Sequence, residues 1–63
     1  MTIPERVSLV QENVELLPAH NQTFAAIIIL FHQQEGRLAP KQVMILNEFV
    51  RKIEKAQRKL EVS

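Results

Sequence analysis

Two histidines, four hydroxyl side chains and no cysteine are the reactive groups that this 63-residue chain offers beyond its charged residues. Nucleophilic catalysis on Thr2, Ser8, Thr23 or Ser63 needs a base beside the hydroxyl and a third group orienting that base. Neither His20 nor His32 has that company along the chain. His32 and Glu35 share a helix face and together supply two metal ligands, fewer than a site requires. Both histidines are therefore expected at a surface or an interface, with no catalytic residues, no metal and no cofactor. Gly36 is the single glycine, so there is no glycine-rich phosphate loop. Asn21-Gln22-Thr23 matches a glycosylation sequon, but without a secretion signal it reads as a helix start.

The stronger pattern is cationic. Lys41, Arg51, Lys52, Lys55, Arg58 and Lys59 fall on one arc of a C-terminal helix, interrupted chiefly by Met44 and Glu48. Such an arc can neutralise phosphates, with binding that weakens steeply as salt rises. It can equally be a solvated face whose cations favour the carboxyl end of the helix dipole. A third use is docking on an acidic protein surface, with Met44 as an adaptable apolar contact within positive charge. The only aromatics, Phe24, Phe31 and Phe49, are expected in the core, which leaves no exposed stacking platform for a single strand. The expected partner-binding or phosphate-binding face is thus Lys41, Met44, Arg51, Lys52, Lys55, Arg58 and Lys59.

Helices must hold these residues, and the spacing predicts an all-α fold of three, at about 3–17, 22–35 and 40–60. Thr2, Pro4 and Glu5 form a capping-box signature, after which Ile3, Val7, Val10, Val14 and Leu17 make one apolar stripe. Pro18 disfavours helix at the residue before it and should end the first segment. Asn21 or Thr23 is the expected cap of the second helix, and Gly36 its left-handed stop. The eight-residue run Phe24–Phe31 is apolar throughout and carries no helical phase of its own. Its length and its flanking cap and stop signals favour a helix over a strand. Pro40 opens the third helix, with Gln42 placed to reach back to Ala39, a cap residue that lacks a side-chain acceptor. Leu46, Phe49, Ile53, Ala56 and Leu60, widened by Val43 and Val50, form its apolar seam.

A chain this short holds one domain, residues 1–63, and has neither disulfides nor a thiolate metal site to reinforce a small core. Oligomerisation is one remedy. Phe24, Ile27, Ile28 and Phe31 are expected to face the neighbouring helices, leaving Ala25, Ile29 and Leu30 as an apolar surface for a homodimer or another partner. Charge is segregated along the chain: residues 1–36 hold four glutamates against one arginine, and residues 37–63 hold seven cations against three glutamates. No apolar run approaches the roughly 20 residues of a membrane span, and no signal-peptide pattern opens the chain. A cytoplasmic protein without a membrane partner is expected.

Asn21-Gln22-Thr23-Phe24-Ala25, then Leu30-Phe31, then Gly36-Arg37-Leu38-Ala39-Pro40-Lys41-Gln42 together resemble a known arrangement. It is the small helical-hairpin module of phage and mobile-element proteins of DNA metabolism, which reads N-x-x-F-A, an apolar helix, then G-x-L-S-x-K-Q. The resemblance spans about residues 21–55 and leaves the first helix outside it. Ala39 stands where the module has serine, and isoleucines stand where it often has a polar residue. The resemblance implies an origin in a phage or mobile element more than an activity. With the missing catalytic equipment and the surplus apolar surface, it leads to a non-enzymatic adaptor or inhibitor that binds a host or phage protein stoichiometrically. The alternative is a nucleic-acid-binding accessory protein that uses the basic face.

Overall fold

Capping and chain breaking decide where each helix of this protein begins and ends. The computed structural model describes residues 1–62; Ser63, one of the hydroxyls considered above, lies outside them. Among the described residues there are three α-helices, α1 (Ile3–Glu12), α2 (Ala19–Glu35) and α3 (Pro40–Val62), and a short 3-10 turn at Val14–Leu16. The all-α reading holds, with the end of the first helix and the start of the second displaced and the third running two residues past its expected end.

The capping box forms as expected. The Glu5 amide donates to Thr2 Oγ1 at 3.3 Å, and Glu5 Oε1 accepts from the Thr2 amide at 3.1 Å and the Thr2 hydroxyl at 2.8 Å. α1 then stops at Glu12 rather than running to Leu17. The cause is Asn13, whose Nδ2 donates to the Leu9 carbonyl at 2.8 Å and occupies the acceptor that would continue the helix. The Asn13 amide turns instead to the Val10 carbonyl, and the chain tightens into the 3-10 turn. Leu17 is extended, as its position before Pro18 requires.

α2 begins at Ala19, three residues ahead of the expected start, because Pro18 initiates it. The Pro18 carbonyl accepts from the Asn21 and Gln22 amides, and Gln22 Nε2 donates to the Leu17 carbonyl at 2.9 Å. Asn21 and Thr23 therefore lie inside the helix and do not cap it. Gly36 ends it in the left-handed region at φ 72°, donating its amide to the His32 carbonyl. At the start of α3 the Ala39 amide donates to Gln42 Oε1 at 2.8 Å, the half of a capping box that alanine permits.

The core lies where the three helices meet. Val7, Val10 and Leu17 face Leu46, Phe49, Val50 and Ile53, and α2 contributes Ala25 and Ile28. The α1 stripe is thus the expected one, and so is the middle of the α3 seam; Val43 and Ala56 are only half-buried, and Leu60, expected at the end of that seam, is 65% exposed beyond the reach of the core. The rotation of α2 is not the expected one: Phe24 and Ile27 point outward, Phe31 is half-buried, and the fully buried residue is Ala25. With Phe49 and the leucines already filling the centre, a small residue at the contact lets the α2 backbone approach, and the larger Phe24 is turned out. α3, about 35 Å long at 1.5 Å per residue, sets the 39 Å length of the molecule. No helix among the described residues is long and apolar enough to cross a membrane.

Candidate protein-binding surfaces

All seven residues of the expected basic face are exposed, Met44 at 67%. They lie opposite the buried seam Leu46–Phe49–Ile53, so one unbroken helix presents them without a loop between. Lys41 and Lys59 are separated by 18 positions, about 27 Å along the axis. Arg51, Lys52, Lys55, Arg58 and Lys59 crowd the carboxyl half, where Lys59 in the last turn meets the negative end of the helix dipole. Glu48 sits on the same arc, and Glu54 on its edge.

Two residues join this face that its spacing did not announce. Leu16 and Pro18 line a hollow of about 240 Å³ together with Lys52, Lys55, Ala56 and Lys59. The 3-10 turn after α1 is thereby laid against the carboxyl half of α3, with an apolar rim beside three ammonium groups. The chain break at Pro18 was legible; its contact with α3, nearly forty residues on, was not. A second hollow on the same helix is lined by Arg51, Glu54, Lys55 and Arg58.

The apolar surface exists but is composed differently from the expected set of Ala25, Ile29 and Leu30. Ala25 is wholly buried and cannot belong to it, and Ile29 is half-buried against the core. Leu30 is exposed at 54%, and its neighbours on the outer side are Phe24 at 57% and Ile27 at 55%. The sequence signal was the uninterrupted apolar run; what it lacked was a phase.

The remaining candidates do not converge. His20 is exposed and His32 half-buried, and no group of three metal-ligating side chains gathers among the described residues. Ser8 lies with Glu5, Glu12 and Met1 in an open depression along the outer side of α1, far in character from a nucleophile with an oriented base. Hydrogen bonds from the Thr2 hydroxyl and amide hold the Glu5 carboxyl below the ordinary glutamate value. That shift comes from the helix-capping box. No family model, no curated protein and no solved structure matches the chain.

Proposed function

We propose that this chain is a small non-enzymatic adaptor or inhibitor of phage or mobile-element type, active in the cytoplasm, that binds a protein stoichiometrically through the basic face of α3. The observation that carries the reading is the exposure of Lys41, Met44, Arg51, Lys52, Lys55, Arg58 and Lys59 on one side of a single helix. A row of cations along one helix, with Met44 near its amino end and Leu16 and Pro18 beside its carboxyl half, suits a protein surface that is acidic and has apolar contacts within it. The resemblance of residues 21–55 to the phage-type hairpin supports the setting. The chain acts as a homodimer, since a small helical domain without disulfides exposes a row of large apolar side chains on α2.

The second reading is nucleic-acid binding, favoured by the reach of about 27 Å from Lys41 to Lys59, enough to follow several phosphates. One experiment separates the two. The tagged protein and a Lys52→Glu, Lys55→Glu, Lys59→Glu variant are used to capture partners from bacterial lysate, before and after nuclease treatment. A protein retained in fixed stoichiometry after nuclease, and lost with the variant, supports the adaptor. Capture abolished by nuclease, with duplex-DNA affinity falling steeply between 50 and 200 mM salt, moves the nucleic-acid reading to first place. Capture unchanged by the triple reversal ends the basic-face reading in either form.

A further inference from the structure

The outward face of α2 has three properties seldom found together on an exposed helix. It carries no charge, because residues 19–34 contain no Asp, Glu, Lys or Arg in a chain that is 24% charged. It holds Phe24, Ile27 and Leu30, each more than half exposed, with Phe31 half-buried at its edge. Its residues also recur at coiled-coil spacing: His20, Phe24, Ile27, Phe31 and Gln34 alternate steps of four and three.

That spacing is symmetric about Ile27. Three positions to either side stand Phe24 and Leu30, four to either side Thr23 and Phe31, and seven to either side His20 and Gln34. We propose that α2 pairs antiparallel with α2 of a second copy about a two-fold axis passing at Ile27. This rests on the homodimer of the reading above and assigns its seam.

In that pairing Ile27 meets its own copy on the axis, and Phe24 of each chain meets Leu30 of the other. The small Thr23 receives the larger Phe31, so bulk is matched by space on both sides of the axis. His20 and Gln34, the polar ends of the row, meet where a hydrogen bond closes each end of the seam. No like charges face each other, and the two helix dipoles run head to tail. A foreign partner recognised through charge would find no handle on this face, whereas a second copy needs none.

The area is of the right order. Phe24, Ile27 and Leu30 leave roughly 100 Å² each uncovered, about 600 Å² for two chains, taking about 200 Å² as the full surface of such a residue. Phe31, Thr23, His20 and Gln34 bring the total toward the ~1,000 Å² that a specific interface needs. The basic face of α3 is built on a different helix, so the dimer carries two copies of it.

The test uses the full chain, whose lack of cysteine makes single-cysteine variants clean probes. Sedimentation equilibrium is run on the wild type and on Ile27→Lys, with helicity checked by circular dichroism. A wild-type dimer whose dissociation constant rises about 30-fold or more in Ile27→Lys is the expected result. Under mild oxidation, Ile27→Cys should link to itself and Phe24→Cys should not, while a mixture of Phe24→Cys and Leu30→Cys chains should form the mixed disulfide. A wild-type monomer up to about 100 μM, above the range of stable dimers, would overturn the homodimer and the seam together. A dimer that survives Ile27→Lys would overturn the seam alone. Self-linking of Phe24→Cys would overturn the antiparallel arrangement, and the cysteine pattern decides the matter even if Ile27→Lys loses helicity.

Discussion

Arg6 Nη1 donates to Asn47 Oδ1 at 2.9 Å across 41 positions of the chain, joining the middle of α1 to the middle of α3. Arg6 is the one cation in residues 1–36, and it is spent between helices rather than on the surface. A charged donor on a half-buried amide should stabilise the fold by about 1 kcal/mol. Arg6→Ala and Asn47→Ala should each lower the urea midpoint, and the double variant should lose less than the two together. Strict additivity would show that the bond contributes nothing.

That bond also marks where the sequence stops being readable. Features fixed within one turn were legible: Thr2 with Glu5, Gln42 with Ala39, the left-handed Gly36, and the stripes Val7–Val10–Leu17 and Leu46–Phe49–Ile53. The caps and stripes follow from spacing of three or four residues, and the stop from glycine's freedom to take positive φ. The displaced boundaries came from side chains competing for backbone: Asn13 takes the Leu9 carbonyl, and Pro18 starts a helix where it was expected only to end one. The rotation of α2 was hidden for a different reason. A run of Ile and Phe has no apolar phase, and the side that packs was chosen by the small Ala25 and by the space already taken by α1 and α3. The exposure of the basic arc was legible because the seam of α3 defines its phase, while the approach of Leu16 and Pro18 to it depended on tertiary contact.

Gly36 should be needed for its backbone and not for its size. A Cβ added there meets nothing within 4 Å, yet φ of 72° lies in the region that other residues enter at a cost of about 1–2 kcal/mol. Gly36→Ala should therefore destabilise the chain by about 1 kcal/mol, and Gly36→Asn by less, in thermal or urea unfolding. Equal losses for the two variants would point to something other than backbone conformation.

Glu5 gives the fold a pH dependence of known sign. The Thr2 hydroxyl, then the Thr2 amide, hold its carboxyl below the ordinary value, so the carboxylate form is favoured in the folded chain. A folded pKa below the unfolded one makes a contribution that is complete above about 4.3 and is lost as pH falls through the lowered value. NMR titration should find the Glu5 carboxyl more acidic than a glutamate in an unstructured peptide. Glu5→Gln keeps the acceptor of the capping box and should remove this part of the acid sensitivity, with amide protection in the first turn of α1 as the readout.

Asn21 should be a position where the natural residue is not the most stable one. It is 8% exposed, and its Nδ2 is buried without a hydrogen-bond partner. The carbonyls four and three residues back along the chain are engaged elsewhere: that of Leu17 accepts from Gln22 Nε2, and that of Pro18 from two amides. A buried donor left unpaired costs about 1–3 kcal/mol. Leucine has the same branching as asparagine without the polar atoms, so Asn21→Leu should raise stability by about 1 kcal/mol in urea unfolding. Asn21→Ala should not, because it trades the unpaired donor for a void at a buried position. If Asn21→Leu instead destabilises the chain, the amide is engaged in solution, and the rotation of α2 that buries it is held by a polar contact rather than by Ala25 and Ile28 alone.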